Sequence, residues 1–94
     1  MTSPSSSGAL EAVERVLNRG GEPDAVLPQV VAALEERTGA RVGIAFLTDE
    51  PPPGAQTYEI EWNGRLVAAL WALGDADGEL LARVAVIVSP YCRA

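Results

Sequence analysis

Few side chains in this sequence are suited to moving a proton, holding a metal or attacking a substrate. Histidine is absent, which removes the usual general base, the commonest metal ligand and the side chain that titrates near neutral pH. A Ser-His-Asp triad is therefore impossible. What remains is one thiol, Cys92, and two suggestively spaced sets of carboxylates, Glu59 with Glu61 and the run Asp75-Ala76-Asp77-Gly78-Glu79. Alternate carboxylates on a strand share a face, but glycosidic chemistry needs such a pair held across a sugar cleft. A solvated strand face is the simpler account of Glu59 and Glu61. The Asp75–Glu79 run starts like a calcium loop yet lacks the later ligands and terminal glutamate of an EF-hand, so helix capping explains it better. Arg93 beside Cys92 favours a thiolate, but a single cysteine after the last helix reads as incidental. No catalytic residue, metal ligand or cofactor is expected.

Binding residues are easier to nominate. Phe46, Tyr58, Trp62 and Trp71 are most of the aromatic side chains, and Tyr58, Trp62 and Trp71 fall on one face of an expected hairpin. Such rings form the walls of small-molecule or partner sites as readily as they fill cores. These four are the candidate ligand-binding residues.

The elements that must position them follow from periodicity. Residues 1–8 are rich in Ser, Pro and Gly and read as a disordered tail. A domain over 9–94 follows it. Leu10, Val13, Val16 and Leu17 recur at helical spacing over 9–19, and Gly20-Gly21 supplies a stop. A second helix over 25–38 carries Leu27, Val30, Val31 and Leu34, with Pro28 placed in its first turn, where a missing N–H costs nothing. Residues 41–48 alternate as a strand with apolar residues on both faces, which predicts a central position in the sheet. The stretch Asp49-Glu50-Pro51-Pro52-Pro53-Gly54 is a stiff connector.

Asn63-Gly64 then selects a type I′ turn within a hairpin over 56–73. A two-residue loop sets Trp62 opposite Arg65, Ile60 opposite Val67 and Tyr58 opposite Ala69. The Ala68-Ala69 pair predicts a helix lying close to the second hairpin strand. The last helix spans 77–89, with Leu80, Leu81, Val84, Ile87 and Val88 buried, and Pro90 ends or kinks it. The fold class is α+β: about three antiparallel strands packed with three helices.

The succession of Thr38-Gly39-Ala40, an apolar strand, Gly64-Arg65-Leu66-Val67-Ala68-Ala69-Leu70 and Leu80-Leu81-Ala82-Arg83-Val84-Ala85 resembles a GAF domain, of the GAF/PAS-like type. The likeness covers about two thirds of the chain and is carried by core patterning. It implies a regulatory module that binds an effector or partner protein and dimerises through its first and last helices. Leu10, Val13, Leu17, Val84 and Ile87 are the expected dimer interface. The family's further strands and helix before the hairpin have no counterpart here, since only Asp49 to Ala55 fills the gap. A structural adaptor without a pocket is the alternative expectation.

Composition narrows the partners. The net charge is −6, and all seven basic residues are arginines spread from Arg15 to Arg93, so neither nucleic acid nor an anionic membrane is an expected partner. Arginine without lysine matches the coding bias of a GC-rich bacterial genome. One cysteine allows no intrachain disulfide. The first residues lack the basic and apolar regions of a signal peptide, and a cytoplasmic setting is expected.

Overall fold

The computed structural model describes residues 4–92. Helix α1 spans Pro4–Arg19 and α2 spans Pro23–Thr38, and together they form an antiparallel hairpin joined by Gly20-Gly21-Glu22. Gly20 and Gly21 both have positive φ, the backbone geometry that glycine adopts without a Cβ penalty. The first helix starts at Pro4, earlier than the expected tail over 1–8 allows, while residues 1–3 lie outside the described residues. A proline opens a helix without wasting a donor. Packing reaches Gly8, still within the expected tail: a Cβ there would stand 3.6 Å from Arg37 Nη1, at the far end of α2.

Helix α2 also starts earlier than expected, so Pro28 lies inside it rather than in the first turn. The missing Pro28 N–H would have served the carbonyl of Asp24, an exposed first-turn residue that water can reach. The helix ends where expected. Gly39, at φ 74°, donates its N–H to Glu35 O at 2.9 Å, while Thr38 Oγ1 donates to Leu34 O and accepts from Ala40 N–H.

Strands β1 (Arg41–Phe46), β2 (Gln56–Trp62) and β3 (Arg65–Leu73) form one antiparallel sheet in the order β1-β3-β2. The expectation that 41–48 is the central strand is wrong: β3 is central, and β1 is an edge strand that stops at Phe46. The tight hairpin commits one side of β3 to β2, leaving the other side for β1, and the proline connector adds no strand beyond β1. The Asn63-Gly64 turn is as expected, with φ of 54° and 77°, and Trp62 faces Arg65.

Beyond that pair the register departs from expectation. A bulge leaves Val67 as an extra residue, so Ile60 faces Ala68 and Tyr58 faces Leu70. A one-residue slip turns every later side chain to the opposite face. Ala68, Leu70 and Ala72 thereby point inward with Tyr58 and Ile60, and Trp71 points outward. The small-large-small row leaves room for a helix, where an inward Trp71 would not.

Helix α3 (Gly78–Cys92) packs mainly against β2 and also against β3, while α2 lies along β1 and α1 rests on α2 and α3. Asp77 Oδ1 accepts from Glu79 N–H at 3.0 Å and caps α3, as the Asp75–Glu79 run led one to expect. Pro90 does not end this helix. Its absent N–H would have bonded the Val86 carbonyl, and the Ser89 hydroxyl donates to that oxygen instead at 2.8 Å. Val13 and Val16, Val30 and Leu34, Ile60 and Leu70, and Leu81, Val84 and Val88 share one core, each large side chain contributing about 1.5–3 kcal/mol by burial. No helix among the described residues is long and apolar enough to cross a membrane.

Candidate functional site

A concavity lies where α2 runs beside the free edge of β1. It has a volume of about 390 Å³ and is lined by Leu27, Pro28, Val31, Gly43, Ile44 and Phe46, with Asp24 the one charged contributor. The helix supplies Leu27, Pro28 and Val31 because they recur at three- and four-residue spacing on the side turned to the sheet edge. The strand supplies Ile44 and Phe46 because alternate residues share the helix-facing side. Phe46 is 40% exposed, and Leu47 beyond it is 67% exposed. The groove is thus open and predominantly apolar.

Backbone polarity follows from two capping contacts. Val42 N–H donates to Glu35 Oε2 at 3.1 Å, and Phe46 N–H donates to Asp49 Oδ2 at 3.2 Å. Both donors therefore point away from β3. In an antiparallel strand each residue directs its N–H and C=O to the same side, and neighbours alternate. Gly43 and Ala45 accordingly face Trp71 and Ala69 across the ladder. Ile44, between the two capped positions, presents its N–H and C=O on the open edge, and among the described residues that N–H has no partner. The other edge differs in kind. Thr57 and Glu59 direct their backbone outward from β2, and exposed Glu59 and Glu61 carboxylates flank it, a charge arrangement that discourages strand pairing.

The four aromatic candidates do not converge on one site. Phe46 borders the groove. Tyr58 is on the same face of the sheet but on the opposite edge strand, where its hydroxyl donates to Gln56 Oε1 at 3.0 Å and lies 3.1 Å from where a Cβ on Gly78 would stand. Trp62 sits beside the hairpin turn, opposite Arg65. Trp71 lies on the outer face of the sheet, flat against Gly43, so the expected shared face of Tyr58, Trp62 and Trp71 is broken by the Val67 bulge.

The expected dimer surface needs a similar correction. Val13 and Val84 are fully buried within a single chain and are unavailable to a partner, because the three helices cover one another as well as the sheet. Leu10, Leu17 and Ile87 keep partial exposure.

The residues considered for chemistry are dispersed. Glu59 and Glu61 are exposed on β2. Among the described residues, no group of three or more Asp, Glu, Cys or His is placed to hold a metal. Cys92 is buried, and burial pushes its thiol up from 9.0 to about 11; the neighbouring Arg93 lies outside the described residues. A buried, protonated thiol is a poor nucleophile.

Leu27, Pro28, Val31 and Ile44 were not singled out by their sequence, since each reads as ordinary core. One available signal was the connector after β1, which leaves that strand without a further neighbour. No family model, curated protein or solved structure matches the chain.

Proposed function

We propose that this chain is a non-catalytic regulatory or interaction module, GAF-like in its order of elements, that binds an effector or partner in the groove between α2 and β1. The observation that carries this reading is the groove itself, an open apolar surface of small-ligand dimensions bordered by half-exposed Phe46. Apolar side chains with few polar groups around them favour binding over acid–base work. A cytoplasmic setting and self-association belong to the same proposal. Leu10, Leu17 and Ile87 supply residual apolar surface for a second copy, and light scattering at tens of micromolar, returning the mass of one chain, would remove that part of it.

Nuclear magnetic resonance titration of the full chain with indole, a small apolar probe, tests the groove. Shifts are expected at Leu27, Val31, Ile44 and Phe46. Shifts confined to the outer sheet face around Trp71, or none at millimolar indole, would refute the reading.

A further inference from the structure

We infer that the free edge of β1 accepts an extended peptide segment of a partner protein as a fourth strand, with alternate apolar side chains in the α2–β1 groove and a basic residue at its ends. The inference rests on the groove being a binding site and adds what enters it, in which conformation and with what charge.

Three features of the edge converge on this occupant. Ile44 offers a free N–H and C=O midway along the strand, between N–H groups that rest on Glu35 and Asp49. A peptide laid along that edge exchanges hydrogen bonds with Ile44, and its inward side chains, spaced at every second residue, enter the groove formed by Leu27, Pro28, Val31, Ile44 and Phe46. Main-chain bonds then supply affinity and the groove supplies side-chain selection. A helical ligand would leave Ile44 unused.

Charge sets the ends of the peptide. Glu35 and Asp49 stand at the two ends of the exposed edge, Asp24 lines the groove and Glu50 follows Asp49. Arg41 is the one cation on β1 itself. Lys or Arg at the peptide termini would draw the two capping carboxylates onto themselves and free the Val42 and Phe46 N–H groups for the added strand. A second copy of this chain is a poorer fit. It brings the same carboxylates, and antiparallel pairing of two β1 edges about a two-fold normal to the sheet sets both α2 helices on one side, competing for the groove. The β2 edge is instead flanked by the exposed carboxylates of Glu59 and Glu61.

The test is selection of a displayed random octapeptide library on the intact chain, followed by anisotropy titration of labelled synthetic copies of the enriched sequences. The expected sequences have apolar residues at alternate positions and Arg or Lys at the ends. N-methylation of the amides that face β1 weakens them by about tenfold or more, the equivalent of one or two hydrogen bonds. Ile44→Pro, a substitution an edge strand accepts when its N–H faces outward, should cause a comparable loss. Should that variant fail to fold, Asp49→Arg provides the protein-side test: it should weaken basic-ended peptides and strengthen versions with acidic ends. No enrichment, helix-patterned sequences, binding indifferent to amide methylation, or selection of segments matching β1 itself would each overturn the inference. Indole shifts in the groove together with any of those results would leave the binding-site reading standing and remove strand addition alone.

Discussion

Gly43→Ala is the substitution whose outcome the sheet geometry sets most sharply. Strand positions normally favour Ala over Gly, by about 0.5–1 kcal/mol, and the Gly43 backbone is not in the positive-φ region, so local propensity predicts stabilisation. The outer face opposes it. A Cβ at position 43 would stand 2.7 Å from Trp71 Nε1, with Cζ2 of the same ring closer still. The indole must therefore tilt away from the sheet or the strands must part. Overpacking of this kind costs about 1–3 kcal/mol, which outweighs the propensity gain and leaves a net loss near 1 kcal/mol, or a Tm lower by roughly 4–8 °C for a domain of this size.

The control is Trp71→Ala. In that background the obstruction is gone, and Gly43→Ala should stabilise by about 0.5–1 kcal/mol. Urea unfolding of the four proteins yields the coupling energy directly, and tryptophan emission should shift red in the Gly43→Ala single variant as the ring meets water. Equal effects of Gly43→Ala in the two backgrounds, or stabilisation in both, would refute the placement of Trp71 against Gly43 and with it the Val67 bulge that turns Trp71 outward.

Other consequences are as specific. Ser89→Ala should cost about 1 kcal/mol in thermal or urea unfolding, because the Val86 carbonyl loses its replacement donor, and it should become nearly neutral beside Pro90→Ala, which restores the backbone N–H. Val84→Asp should abolish cooperative unfolding by burying a lone charge, whereas Val86→Asp, at a position 73% exposed on the same helix, should change stability by about 0.5 kcal/mol or less; circular dichroism melts of both variants check this. For Cys92, a thiol pushed up to about 11 is ionised in about one molecule in ten thousand at neutral pH, so iodoacetamide should react far more slowly with the native chain than with the chain in urea. The same shift has a defined sign in stability. Because the folded state holds this proton more tightly, its contribution is complete below pH 9.0 and is lost as pH rises towards about 11; a Cys92→Ala variant should show a shallower decline over that interval.

Features encoded within a few residues were legible in the sequence. The Asn63-Gly64 turn, the Gly39 stop, the Asp77 cap and the buried stripe of Leu80, Leu81, Val84 and Val88 each depend on local conformation or on one face of one helix. The strand order was not, because both faces of β1 look apolar while its edge position depends on which side of β3 remains after the hairpin closes. The Val67 bulge was also invisible, as the turn chemistry alone calls for direct pairing, and only the fit of Ala68, Leu70 and Ala72 beneath the helices selects the slip. Pro28 and Pro90 misled for a shared reason. Each lacks an N–H, but Asp24 is open to water and Ser89 supplies a hydroxyl to Val86, so neither helix has to break. As for the site, Leu27, Pro28, Val31 and Ile44 carry no chemical signature, and aromatic content drew attention to Tyr58, Trp62 and Trp71, which stand elsewhere. Phe46 alone joined the groove.

The open edge of β1 is the claim on which the functional account depends, and residue-resolved amide hydrogen exchange of the intact chain tests it without any ligand. Gly43 and Ala45, paired inward to Trp71 and Ala69, should be the slowest amides of the strand, with Val42 and Phe46 intermediate behind their carboxylate caps. Ile44 should exchange fastest of the five. Protection of Ile44 equal to that of Gly43 and Ala45 would mean that the edge is already covered, and would contradict the account.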